Sequence, residues 1–485
     1  METEQQTPLD LSALSPQLRN AVQTVAGLVR AAGGRAWMVG GSVRDLLRGA
    51  RQVKDVDLEV FGLEPPRVQE VIGQRFAFDA CGLSFGVLKL RHIAVDVALP
   101  RRESKRGTGH RGFLIDADPH LSIPEAASRR DFTVNALYYD PLAGVLEDPY
   151  GGVADLERRI LRHVSEKFVE DPLRVLRGMQ FVARFDLAPA QETVALCRSM
   201  TPEGLPPERL FEEWAKLLTQ GVAIGRGLAF LRATNWVRYY PELNRLIGCR
   251  QDRAWHPEGD VWNHTRLCLD AFSRRRVERW ARGEGDADED LIVGLAVLCH
   301  DFGKPATTRD LRGRLRSPGH DLAGVEPTLA FLRRLTNEER ILKEVPPLVA
   351  HHMQPFALWK AHAGDAAIRR LALRVGRIDR LIRVAQADDE GRGAEIRDDA
   401  KAGEELRWLA AEAERLRLAA ARPRPILMGR DLIALGYAPS PQFKIWLDAC
   451  FEAQLDGAFA DHDGALAYFH AHVEPQFGTL SALDD

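Results

Sequence analysis

From Leu18 to Ala32 apolar residues recur every three or four positions, the spacing of one helix face, and Gly33-Gly34 ends the run. A short apolar segment, Ala36 to Val39, enters Gly40-Gly41-Ser42, and Val43 to Arg48 returns to helical spacing. Val53 to Phe61 alternates apolar and acidic residues with period two, which predicts a strand. Phe85 to Leu90, Ile93 to Leu99 and Thr133 to Tyr139 are predicted strands too. After Tyr150-Gly151-Gly152 helical periodicity dominates to about residue 470. Pro and Gly interrupt it near 202–207, 241–259, 311–319 and 422–424. The pattern predicts an α+β head followed by a long all-helical body, with no repeat of fixed period.

Composition changes this picture little. The chain has 485 residues, 45% hydrophobic and 28% charged, the balance of an ordinary globular protein with several domains. A net charge of −3 excludes a polycation that coats nucleic acid by bulk charge, but not a local basic groove. The six cysteines are scattered without a C-x-x-C pair, so neither a disulfide framework nor a thiolate zinc site is expected. The longest apolar run, Leu291 to Cys299, is too short to span a bilayer, and the polar, acidic start lacks a signal peptide's apolar core. The expectation is a soluble cytoplasmic protein with no membrane partner.

The candidate chemistry begins in the head. Asp55 and Asp57 are two residues apart in a predicted strand, so both carboxylates leave one face. Such a pair repels itself unless a cation intervenes, and magnesium fits where a substrate phosphate completes its shell. A bare D-x-D is ordinarily just a pair of exposed acids. The preceding Gly40-Gly41-Ser42 turn opens a helix whose free N–H groups suit a phosphate, and Arg44 adds a guanidinium.

Gly40-Gly41-Ser42-Val43-Arg44-Asp45 followed by Asp55-Val56-Asp57 resembles the first motif of the class II tRNA nucleotidyltransferases. These are the CCA-adding enzymes and the related bacterial poly(A) polymerases, with a polymerase-β-like head built on a small mixed sheet. Arg129-Arg130-Asp131-Phe132-Thr133-Val134-Asn135-Ala136 resembles the second motif, and Glu170-Asp171-Pro172-Leu173-Arg174-Val175-Leu176-Arg177 the nucleobase-selecting one.

The resemblance implies Asp55 and Asp57 as catalytic metal ligands for Mg2+, and Gly40, Gly41, Ser42, Arg44, Arg130, Asp131, Asn135, Glu170, Asp171, Arg174 and Arg177 as nucleotide-binding residues. C and A each present an amine beside an acceptor ring nitrogen, which a carboxylate (Asp171) and a guanidinium (Arg174) match; U and G present the opposite polarity. Asp171 also reads as a helix N-cap and Glu170–Arg174 as an i,i+4 pair. Gln180 stands where the family usually carries Arg. The basic stretch Arg101, Arg102, Lys105, Arg106 and Arg111 resembles the family's flexible loop and is the expected RNA-binding segment.

His264, His300-Asp301 and Asp388 follow the ligand order of the HD phosphohydrolases. The resemblance implies a divalent metal such as Ni2+, Mn2+, Co2+ or Mg2+, with His320 and either His351 or His352 completing a second site. The expected division is a helical extension over 1–34, the nucleotidyltransferase head over 35–150, a helical neck over 151–250, an HD domain over 251–400 and a helical tail over 401–485. The leading expectation is CCA addition to tRNA from CTP and ATP by a monomer or homodimer. CC-only, A-only and poly(A) addition share the same motifs. An HD phosphohydrolase acting on RNA ends, with the head as an RNA-binding module, is the alternative from another class.

Overall fold

Helix α1 (Pro16–Ala31) starts where its signals are: Ser15 accepts from the Leu18 N–H and proline takes the first helical position. Its stripe of Leu18, Ala21, Val22, Val25, Ala26 and Val29 is buried. The computed structural model describes residues 9–82, 87–105, 113–392 and 403–477. It divides into two units, Met1–Tyr239 and Tyr240–Asp485.

In the first unit a seven-stranded mixed sheet runs in the order β3-β4-β5-β2-β1-β8-β9. Its strands are β1 (Arg35–Val39), β2 (Val56–Phe61), β3 (Phe78–Gly82), β4 (Val87–Leu90), β5 (Val95–Ala98), β8 (Tyr138–Asp140) and β9 (Val145–Glu147); β6 (Arg101–Lys105) and β7 (Phe113–Ala117) form a separate hairpin. Alternation sorts the two faces. Val56, Leu58 and Val60 join α1 and helix α3 (Pro65–Gly73) in one core, whereas Trp37, Val39 and Tyr138 pack with Ala127, Ala136 and Val145 on the other. The face of β2 opposite α1 therefore carries Asp57 and Glu59. Helices follow, among them Gly152–Glu157, Leu173–Phe185 and Pro207–Gln220.

Three sequence expectations change. The strand proper begins at Val56, because Val53 makes only an isolated bridge to Leu14. Thr133 to Tyr139 is not one strand: Thr133–Asn135 is a 3-10 turn, and only Tyr138–Asp140 joins the sheet. Asp131 captures the Phe132 N–H and the Asn135 amide, and Thr133 N–H donates to the Arg162 carbonyl, so the ladder loses those groups. The stretch expected as a flexible loop begins as strand β6, which holds Arg101, Arg102 and Lys105; Arg106 and Arg111 lie outside the described residues. Of the predicted strand Phe85 to Leu90, the first two residues also lie outside them.

Among its described residues the second unit is helical apart from a small hairpin, Arg309–Leu311 with Arg314–Arg316, inside the stretch that the sequence marks only as punctuated. Helix Val261–Ala281 packs closely along helix Ile378–Gly391. Gly391 makes this possible, since a Cβ there would sit 2.3 Å from the Cys268 sulfur. Glu289 and Arg380 form a buried pair with oxygen–nitrogen distances of 2.5 and 2.6 Å. A separate aromatic core around Trp446, Phe459 and Phe469 closes the C-terminal helices.

Candidate active sites in the two units

The sheet register assembles the head site. β1 pairs Val39 with Asp57, so Asp57 lies beside the Gly40-Gly41-Ser42 turn that opens helix α2 (Gly41–Leu47). Gly40 has φ 70 and ψ −128, a conformation that essentially only glycine adopts, and a Cβ there would press on the Arg130 guanidinium at 3.2 Å. β2 runs parallel to β5 and pairs Asp57 with Asp96, a third carboxylate that the sequence reading missed. Burial raises the Asp57 pKa, the neighbouring Asp96 and Asp55 raise it further, and Arg130 opposes them. A cation between these acids would remove that repulsion, so the three carboxylates fit a divalent ion.

Two residues along β2, Glu59 is fully buried and bonds Arg129 at 2.9 Å and Arg130 at 3.2 Å. Burial works against its charge, but the two guanidinium groups outweigh it and hold its pKa below the ordinary value. Glu59 thereby aims the paired arginines, a role absent from the sequence reading. Ser42 donates its hydroxyl to the Val39 carbonyl. Arg44 is buried: it donates to Asn135 Oδ1 at 2.6 Å and to Asp45, and it lies 4.2 Å from the Phe185 ring centroid. The Asp131 carboxylate accepts from Phe132 N–H, Asn135 and both Nε and Nη2 of Arg177, the last at 2.7 Å. Arg44, Asn135, Asp131 and Arg177 thus form one continuous polar chain.

In the segment around the expected base-selecting residues, Asp171 accepts from Leu173 N–H at 3.0 Å and from Arg209 at 2.9 Å. Arg174 donates to the carbonyls of Lys167 and Arg129, so the expected Glu170–Arg174 pair is not what holds it. Gln180 is buried and accepts from Arg184 at 3.1 Å.

The second unit gathers a histidine–carboxylate cluster. His264, His300, His320 and His352 each direct Nδ1 at an oxygen: Glu258 Oε1, Val297 O, Ser317 O and Val349 O, at 2.7 to 2.8 Å. For His300, His320 and His352 the carbonyl contacts assign the proton to Nδ1 and leave an Nε2 lone pair, whereas His264 Nδ1 has no hydrogen bond of acceptable geometry. The four Nε2 atoms converge with the carboxylates. Nε2 of His264 lies 2.9 Å from Asp388 Oδ1, Nε2 of His300 lies 3.3 Å from Asp301 Oδ2, and Nε2 of His320 and His352 face each other at 3.3 Å.

Donors held about 2.1 Å from one ion at right angles are about 3.0 Å apart, so this packing of lone pairs matches ligands awaiting a cation. Without one, burial disfavours charge on His300, yet Asp301 and Asp388 outweigh it and raise its pKa, while burial drives His352 down to about 4. His264, Cys268, His300 and Asp388 present atoms within 4.8 Å of one another, as do Asp301, His320 and His352. The choice between His351 and His352 therefore falls on His352. Lys304 reaches Asp301 at 2.7 Å, and Glu258 Oε1 hydrogen-bonds His256 Nδ1 at 2.8 Å and lies 2.7 Å from His264 Nδ1. A cavity of about 250 Å³ beside the cluster is lined by Trp255, Arg250, Arg316 and Arg392 among others.

The Poly A polymerase head domain model matches residues 36–162. The multifunctional CCA protein of Xylella fastidiosa (strain M23) is 36% identical over 375 residues, which cover 74% of this chain and 84% of that protein. The chain belongs to the class II CCA-adding enzyme family. In fold it resembles the Bacillus stearothermophilus CCA-adding enzyme in complex with CTP, at TM-score 0.62 and 24% identity over 95% of this chain and 99% of that one. It also resembles the Thermotoga maritima CCA-adding enzyme complexed with tRNA, at TM-score 0.59 and 18% identity over 96% and 97% of the two chains. Membership in this family implies a divalent cation in the head. Among the described residues no helix is long and apolar enough to cross a membrane.

Proposed function

We propose that this chain adds CCA to the 3′ end of tRNA from CTP and ATP without a nucleic-acid template, and that it works in the cytoplasm as a monomer or homodimer. The observation that carries the reading is the pairing of Asp57 with Asp96 beside the Gly40-Gly41-Ser42 turn, with Asp55 close enough to raise the Asp57 pKa. These acids would hold Mg2+, which neutralises phosphate charge and favours the ionised 3′-hydroxyl. The turn offers N–H groups to the triphosphate at the positive end of α2, and Arg130, aimed by Glu59, faces the same phosphates. Asp131, Asn135 and Arg177 tie that floor to the base-selecting helix.

Asp171 accepts from the amine of C or A, and Arg174 donates to the adjacent ring nitrogen. Two of the five guanidinium N–H bonds of Arg174 are committed to carbonyls, which fixes its orientation for the rest. The basic residues Arg101, Arg102, Lys105, Arg106 and Arg111 guide the RNA. The test is to incubate the protein with tRNA ending at the discriminator base, Mg2+ and single or mixed nucleotides, then size the products. Three added residues with CTP and ATP, and none with UTP or GTP, are expected. A long homopolymer tail, or a stop at CC or at a single A, would replace this reading with the corresponding partial or poly(A) activity.

The converging imidazole lone pairs favour a second activity, a metal-dependent phosphohydrolase in the second unit. His264, His300, Asp301 and Asp388 would hold Ni2+, Mn2+, Co2+ or Mg2+, and His320 and His352 a second ion. A phosphomonoester assay with each metal in turn tests it.

A further inference from the structure

Besides the histidines, the carboxylates and the cations Lys304 and Arg392 that contact them, a thiol reaches into the cluster of the second unit. Cys268 lies one turn beyond His264 on helix Val261–Ala281, the i,i+4 spacing that puts two ligands on one helix face. Its sulfur is 3.3 Å from His264 Nε2, the atom that also lies 2.9 Å from Asp388 Oδ1. Nitrogen and sulfur bound to one ion at about 2.1 and 2.3 Å stand about 3.1 Å apart at a right angle and about 3.6 Å apart in a tetrahedron. The observed separation lies between the two.

A second feature points to the same centre. His300 is 1% exposed, and its Nε2 has no hydrogen bond of acceptable geometry, although Asp301 Oδ2 is 3.3 Å away and Asp388 Oδ1 3.9 Å. The sulfur, both imidazole nitrogens and the Asp388 oxygen fall within 4.8 Å of one another. Helix Ile378–Gly391 approaches the sulfur closely through Gly391, where a Cβ would sit 2.3 Å from it.

The geometry points to Cys268 as a thiolate ligand of the metal in the second unit, making this a mixed nitrogen, oxygen and sulfur centre with a preference for softer divalent ions. The inference rests on the reading that the cluster holds a divalent cation. Binding exchanges the thiol proton for the ion, so uptake releases one proton more than a centre built from neutral imidazoles and carboxylates. A sulfur donor moves selectivity away from Mg2+ and Mn2+ toward Co2+, Ni2+ and Zn2+. The competing account is a thiol that only makes weak hydrogen bonds, to the Asp388 carbonyl at 3.9 Å and to His264.

Cobalt separates the two. The full-length protein, stripped with chelator and reloaded with Co2+, is compared with Cys268→Ser and Cys268→Ala by metal analysis and absorption spectroscopy. The wild type is expected to show an intense near-ultraviolet sulfur-to-cobalt band that both variants lose while keeping the weaker visible bands. Their Zn2+ affinity should fall at least about tenfold, with Mn2+ affinity little changed. Far-ultraviolet circular dichroism verifies that both variants fold, and Ser keeps the side-chain size. Cobalt bound without that band in the wild type, or the same band in both folded variants, would overturn the ligand assignment. Failure of the wild type to take up any cobalt would overturn the cation reading itself, and this assignment with it.

Discussion

Replacing Asp131 by Asn removes one negative charge and little else from the polar chain that links α2 to helix Leu173–Phe185. In the wild type Oδ1 accepts from Phe132 N–H at 2.7 Å and Asn135 at 2.9 Å, and Oδ2 accepts from Arg177 at 2.7 and 2.8 Å. An asparagine keeps one acceptor oxygen. If that oxygen serves Phe132 and Asn135, its amide N–H groups confront the N–H groups of Arg177, and two charge-assisted bonds are lost. Breaking a buried ion pair from one side costs about 3–5 kcal/mol, and the Arg177 side chain is 34% exposed, so water recovers part of it. The expected loss is about 3 kcal/mol.

Burial opposes the Asp131 charge, but Arg177, Asn135 and the Phe132 amide outweigh it and hold the pKa below 3.8. The stabilisation is therefore full above the ordinary carboxylate pKa and disappears as the pH falls through the depressed value. Urea unfolding of wild type, Asp131→Asn, Arg177→Met and the double variant measures it, and a coupling of about 2 kcal/mol is expected from the cycle. A loss below about 1 kcal/mol at neutral pH would refute the reasoning. So would a difference between wild type and variant that widens toward acid pH.

Asp55→Ala, Asp57→Ala and Asp96→Ala should each abolish or severely reduce nucleotide addition while tRNA binding, followed by gel shift, persists. Because the Asp57 pKa is raised, the acid limb of nucleotide addition should lie above pH 3.8 and move to lower pH as Mg2+ is increased, read from rate profiles at two metal concentrations. His300→Ala should remove metal-dependent phosphohydrolysis without stopping CCA addition, and parallel loss in a folded variant would show that the sites are coupled. Arg174→Ala should relax discrimination against UTP and GTP by about 1–3 kcal/mol per lost contact. Asp171→Asn should impair C and A addition alike, and wild-type selectivity in single-nucleotide assays would leave Asp171 only a turn-forming role.

What the sequence discloses depends on how local the causing interaction is. The Gly40-Gly41-Ser42 turn, α1 with its serine cap and the alternation before Phe61 are written within a few residues, and all three are readable. Asp96 is not, because it reaches Asp57 only through the parallel register of β2 and β5, across 39 residues of chain. Thr133 to Tyr139 has a strand's composition, yet one carboxylate at Asp131 diverts its first half into a turn. Glu258 is one acid among many in the sequence, and only the folded geometry brings it 2.7 Å from Nδ1 of His264. Cys268 left a legible trace, four residues after His264. The scatter of the other cysteines hid it, since thiolate sites are usually sought as cysteine pairs.

The histidine–carboxylate cluster has a topological consequence. An ion held by His264 and Asp388 joins positions 124 residues apart, and His300 and His352 cap the ends of two further helices. Such an ion is a cross-link, and closing a loop of about 100 residues removes chain entropy worth about 4.7 kcal/mol from the unfolded state. The same ligands would thus be retained by selection for folding even in a lineage where the hydrolytic reaction had ceased to matter. Metal uptake would then raise the stability of the second unit whether or not that unit hydrolyses a substrate.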